Sequence, residues 1–106
     1  MSNVIDVTDA SFATEVLACP QPVLVDIWAT WCAPCRALAP VIDELAGVYA
    51  GKVKFTKLDA DTNLATTGKY DVRAIPTVLL FSGGQVVEAI VGAVPKMKLR
   101  QALDAL

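Results

Sequence analysis

The chain has 106 residues, 55% apolar and 19% charged, enough to bury one ordinary core and too few for two, so disorder is excluded and a single domain over 1–106 is expected. A net charge of −2 offers no basic field for nucleic acid or an anionic membrane, and no apolar run approaches the roughly 20 residues of a membrane span. The opening Met1-Ser2-Asn3-Val4-Ile5-Asp6 lacks the basic and apolar regions of a secretory signal, which points to the cytoplasm or to a processed form whose leader has gone. In a reducing cytosol, three cysteines argue for a transient catalytic disulfide rather than a stapled scaffold.

In chain order, Val4, Ile5 and Val7 predict a short strand, after which Thr8 or Asp9 caps a helix carrying Phe12, Val16 and Leu17. Cys19-Pro20-Gln21-Pro22 ends it, and Cys19 reads as an inert small residue because nothing cationic adjoins it to lower its pKa. Val23 to Trp28, Val-Leu-Val-Asp-Ile-Trp, is apolar on both faces except at Asp26, as a central strand covered on both sides should be. It delivers Cys32 and Cys35 to the edge of the sheet. Beyond Pro34, Leu38, Val41, Ile42, Leu45 and Val48 recur at spacings of three and four, so a helix begins at or just after Cys32. Pro40 predicts a kink, and Gly47 to Gly51 closes the helix.

Lys52 to Leu58 alternates, with Val53, Phe55 and Lys57 on one side, and predicts the next strand. Asp59 to Asp71 is polar and reads as a short irregular helix with loops. Thr77 to Phe81 is a strand joined by the turn Ser82-Gly83-Gly84-Gln85 to an antiparallel neighbour, Val86 to Val91. Lys96 to Leu106 is a final amphipathic helix with Met97, Leu99, Leu103 and Leu106. The order βαβαβ followed by ββα predicts an α/β fold, a mixed sheet with helices on both faces.

The chemistry centres on the cysteine pair. Free N–H groups and partial positive charge at a helix start favour a thiolate, the attacking species, at Cys32. Pro34 suits the first turn, where its missing N–H costs nothing. Cys35, one turn on, can close a small disulfide ring and should be the more buried sulfur, so that Cys32 attacks and Cys35 resolves. The competing reading, half of a metal site, lacks ligands: structural zinc wants four, and the chain has no histidine and one further cysteine, Cys19.

Trp28-Ala29-Thr30-Trp31-Cys32-Ala33-Pro34-Cys35-Arg36 resembles the thioredoxin family signature, and the likeness extends along the chain. It takes in Asp26, Pro40, Lys57, Ile75-Pro76-Thr77, Phe81 with Gly84, and Val91-Gly92-Ala93 with Lys96. The resemblance implies the thioredoxin fold, a central mixed five-stranded sheet flanked by about four helices on both faces. It also implies a thiol–disulfide oxidoreductase that is reduced by a thioredoxin reductase and passes electrons to disulfides of client proteins, with Pro76 cis beside the disulfide. A monomer with no bound cofactor is expected, the Cys32–Cys35 couple carrying the electrons. Ala33 stands where the family usually has glycine, Ala60 where a larger aliphatic is common, and Leu64 where a proline often follows Asn63. Ala33 and Pro34, between the cysteines, tune the redox potential, and the absence of a histidine there reads as a reductant.

Asp26, desolvated inside an apolar strand, should have a raised pKa suited to accepting the Cys35 proton. The alternative is a structural carboxylate paired with Lys57 on the neighbouring strand; the residues alone leave the two level and the resemblance favours the first. Trp31 reads as a contact surface and lid, and Trp28 equally as packing. The backbones of Ala74 and Ile75, beside Pro76, are candidates for pairing with a client strand. Gly92 and Ala93 would keep a second wall of that groove low, although Gly92 equally suits a strand end or bulge. Two other classes, a non-catalytic binding module on this fold and a metal-binding CxxC protein, would need neither thiol or would hold zinc or iron.

Overall fold

A computed structural model describes residues 3–106; Met1 and Ser2, part of the expected 1–106 span, lie outside the described residues. Its centre is β2 (Val23–Trp28), buried on both faces along nearly all its length. β1 (Val4–Asp6), β3 (Lys54–Asp59), β4 (Thr77–Ser82) and β5 (Gln85–Val91) complete a five-stranded sheet in the order β1-β3-β2-β4-β5. β3 runs parallel to both β1 and β2, whereas β4 is antiparallel to β2 and β5 to β4. Parallel neighbours need helical crossovers, and the antiparallel pair needs only a tight turn. That turn uses Gly83 and Gly84 at φ of 61° and 79°, and a Cβ on Gly84 would stand 3.0 Å from the Leu17 carbonyl oxygen.

Alternation along β2 sorts its side chains. Val23, Val25 and Ile27 join Phe12, Val16, Leu58, Leu79 and Phe81 in one cluster. Leu24 faces the other way, with α1 (Ala33–Val48) and α3 (Lys96–Asp104), whose Leu38, Ile42, Leu45, Leu99 and Leu103 pack on Phe55, Leu80 and Ile90. Asp26 and Trp28 share the Leu24 side by the period of two. α3 is tied to α1 at both ends, by Lys96 to Glu44 at 2.6 Å and by the Tyr49 hydroxyl donating to Asp104 at 2.6 Å. Among the described residues, no helix is long and apolar enough to cross a membrane.

Several expectations are corrected. The first helix is a five-residue π-type turn, Ala13–Leu17, with the Ala18 N–H bonded to the carbonyl five residues back. No side chain caps it at Phe12, but Thr8 caps the turn leading into it, its hydroxyl accepting the Ser11 N–H at 3.3 Å while the Ser11 hydroxyl accepts the Thr8 N–H at 2.9 Å. Asp9 caps α2 (Leu64–Lys69) instead, accepting from the N–H groups of Ala65 at 3.2 Å and Thr66 at 2.9 Å and from the Thr66 hydroxyl at 2.6 Å. That hydroxyl bond above all holds the Asp9 carboxyl below its usual pKa. β3 begins at Lys54 and ends at Asp59, later than expected at both ends. α1 is one continuous helix with Pro40 in its interior, so the expected kink does not interrupt it. α3 stops at Asp104, and only Leu99 and Leu103 of its expected apolar face are buried; Met97 is 64% exposed.

Candidate active site

β2 ends at Trp28, and a tight turn carries the chain into α1, closed by the Cys32 N–H bonding the Ala29 carbonyl at 3.2 Å. The Arg36 side chain reinforces it by donating to the Thr30 carbonyl at 2.9 Å. Cys32 is thereby the N-cap of α1, in extended conformation, with Pro34 in the first turn. Its Sγ accepts the Cys35 N–H at 3.2 Å, so the sulfur takes the place a serine or aspartate oxygen holds at ordinary helix starts. Cys32 and Cys35 form a disulfide across a Cα separation of 5.3 Å. As whole residues Cys32 and Cys35 are equally buried, each 3% exposed, the bonded pair packing jointly against Ala29, Trp28 and Ile75.

Their surroundings separate them. Cys35 borders a smaller, half-open cavity of about 310 Å³ whose walls include the buried Asp26, the half-buried Trp28 and Lys57, and the exposed Thr30, Arg36 and Ala39. Asp26 is 5% exposed, its Oδ1 has no hydrogen-bond partner, and burial pushes its pKa up to about 6, the Lys57 charge opposing and the Asp43 charge adding. Lys57 stands opposite Asp26 in the β2–β3 register, but its ammonium pairs with Asp6 at 3.9 Å and lies 5.8 Å over the Trp28 ring. It acts on Asp26 through its field, without an ion pair. The half-buried Trp28 also leaves its Nε1 without a partner.

Cys32 borders an outer groove of about 660 Å³, lined also by Trp31, Ala33, Pro34, Ala60, Thr67, Val72, Arg73, Ala74 and Ile75. Trp31 is 67% exposed, yet its indole N–H donates to Asp61 at 2.8 Å, a partner that sequence reasoning missed because it lies 30 residues away. The Ile75–Pro76 bond is cis. Among the described residues, neither the N–H nor the C=O of Ile75 enters a backbone hydrogen bond, whereas the Ala74 carbonyl accepts from the Thr77 hydroxyl. Gly92, at φ 97°, donates its N–H to the Pro76 carbonyl at 2.8 Å with open space where a side chain would stand; neither it nor Ala93 lines the groove. Cys19 is partly buried against the Val23–Val25–Ile27 side, away from both spaces. No group of three or more His, Cys, Asp or Glu among the described residues is placed to hold a metal ion.

Residues 3–105 match the family model described as Thioredoxin. Thioredoxin 1 of Nostoc sp. is 51% identical over 104 residues, which cover 98% of this chain and 97% of the relative. The thioredoxin of Synechocystis sp. is 52% identical and that of Haemophilus influenzae 50% identical, each with the same coverage. Likeness sustained over nearly the full length of both partners, in a chain whose cysteine pair is bonded at the start of a helix, settles the assignment. The chain belongs to the thioredoxin family and is a thiol–disulfide oxidoreductase.

Proposed function

We propose that the protein acts as a reductase of disulfides in client proteins, with Cys32 as nucleophile, Cys35 as resolving thiol and Asp26 as proton acceptor. In the reduced protein the Cys32 thiolate attacks a client disulfide, one client sulfur leaves as thiolate, and a mixed disulfide forms. Asp26 takes the Cys35 proton, the Cys35 thiolate attacks Cys32 Sγ, and the second client sulfur leaves. Two electrons reach the client, and the Cys32–Cys35 disulfide remains. The observation that carries this reading is the Cys35 N–H pointing at Cys32 Sγ at the start of α1, which favours negative charge on that sulfur.

The unpaired backbone of Ile75 supports strand pairing with the client across the groove, with Trp31 as its wall. Ala74, Pro76, Gly92 and Ala93 shape the approach, and Ala33 and Pro34 tune the potential. Lys57 moderates the Asp26 charge. The couple carries its electrons without a bound cofactor, and a thioredoxin reductase returns them; the protein works as a single-domain monomer in the reducing cytoplasm. Insulin reduction, driven by dithiothreitol or by a reductase with NADPH, tests the reading. Rapid precipitation of the insulin B chain at catalytic protein concentrations is expected; binding of insulin without its reduction would overturn the proposal in favour of a binding module.

A further inference from the structure

We propose that Ala60 opens a side-chain pocket beside Trp31, through which the protein favours clients carrying a bulky apolar residue two positions from the attacked cysteine. The inference rests on reading the outer groove as the client site. Ala60 immediately follows β3, and its N–H donates to the Trp28 carbonyl at 2.8 Å, so the β2–β3 pairing fixes where its methyl lies. The next residue, Asp61, is itself held, its N–H bonding the Asp59 carboxylate at 2.9 Å, and its own carboxylate grips the Trp31 indole N–H at 2.8 Å.

The ring is therefore tethered to the residue beside Ala60. It stands 67% exposed, and the ring and Ala60 line the same groove. Thr67, Val72 and Ile75 border the same groove of about 660 Å³. An isoleucine at position 60, the kind of residue common there in the family, would occupy part of that space. One Asp61 oxygen accepts the indole N–H and the exposed Arg73 is paired with Asp71 at 2.9 Å, and apart from Arg73 and Thr67 the side chains lining the groove are apolar.

The occupant follows from strand geometry. An extended client paired with Ile75 points alternate residues to one side, so the residues two before and two after its cysteine descend on the floor that holds Cys32, roughly 7 Å from the sulfur. A leucine or phenylalanine there buries apolar surface against Ala60, Val72 and the indole, whereas an alanine leaves the pocket unfilled.

The test uses disulfide-bonded peptides carrying Ala, Leu or Phe two residues to either side of the attacked cysteine. Each kcat/KM is divided by the same variant's value on hydroxyethyl disulfide, which has no side chain to place. The wild type is expected to favour Leu or Phe over Ala by about tenfold, at one of the two positions. Ala60→Ile should cut the ratio to about twofold or less, and Ala60→Val, which serves if Ala60→Ile does not fold, should fall between. A wild type without preference, or a ratio that both variants keep, overturns the pocket alone. Failure to reduce hydroxyethyl disulfide and every peptide overturns the reductase reading and the pocket with it.

Discussion

Cys32 and Cys35 are equally buried as residues, yet they border different spaces, the first a groove of about 660 Å³ and the second a smaller, half-open cavity of about 310 Å³ that reaches Asp26. Cys32 meets a backbone N–H at a helix start, which favours its charged form. Cys35, inside the helix, has a buried carboxyl in the wall of its cavity. Exposure does not distinguish attacker from resolver in the oxidised state; the charge each environment tolerates does. The groove offers room for a client, and the cavity offers a proton acceptor.

Removing the thiol on the groove side gives the largest effect. Cys32→Ser should lower insulin reduction by about a thousandfold or more, to the level of dithiothreitol alone, since a neutral serine hydroxyl is no substitute for a thiolate. Residual turnover within tenfold of wild type would break the comparison at its first term.

On the cavity side, Asp26→Ala should slow the resolving step about a hundredfold near pH 7, read by single-turnover kinetics. It should also stabilise the protein at higher pH. The folded-state pKa of about 6 exceeds the ordinary 3.8, so between these values the folded form binds more protons and stability falls as pH rises. Below 3.8 both states are protonated and the penalty vanishes; above about 6 it is fully present. At about 1.4 kcal/mol per pH unit across that window, removing the carboxylate should gain up to about 3 kcal/mol at pH 8 and almost nothing at pH 3. Denaturant melts across pH check this, and a variant less stable at pH 8 would return Asp26 to a structural role.

Two smaller changes sharpen the contrast by leaving both spaces in place. Asp9→Ala removes the cap that α2 receives from the β1 side and should lower the melting midpoint by roughly a few degrees, with the rate of insulin reduction unaltered. Slower reduction would mean that α2 sets the shape of the groove. Ala33→Gly should cost up to about 1 kcal/mol, because glycine has more backbone freedom to lose at the start of α1. An unchanged or higher melting midpoint in both redox forms would show that residue 33 is strained as alanine.

What was legible in the sequence was local. The apolar run broken by Asp26, the onset of helical spacing after Cys32 and the glycine pair before Gln85 each encode their structure within a few residues, and β2, α1 and the β4–β5 turn follow them. The polar contacts were not local. Asp9 looks like a cap for the residues just after it, but Thr66, 57 positions away, takes it. Lys57 faces Asp26 in register, but Asp6 on β1, the neighbour on the other side of β3, provides its counter-ion. Periodicity gives Met97 and Leu106 the same standing as Leu99 and Leu103, and only the packing of α3 on α1 decides that the first pair stays exposed. Asp61 carried no signal, since its role exists only once the turn after β3 meets Trp31.

The division of labour between the two sulfurs is tested most directly by trapping. Reduced Cys35→Ser and Cys32→Ser proteins are each mixed with a disulfide-bonded client under non-reducing conditions and examined by intact and peptide mass spectrometry. Cys35→Ser should accumulate a stable client adduct on Cys32, because attack proceeds and resolution cannot, while Cys32→Ser should carry no adduct on Cys35. An adduct on Cys35 in the second variant with none in the first would contradict the account.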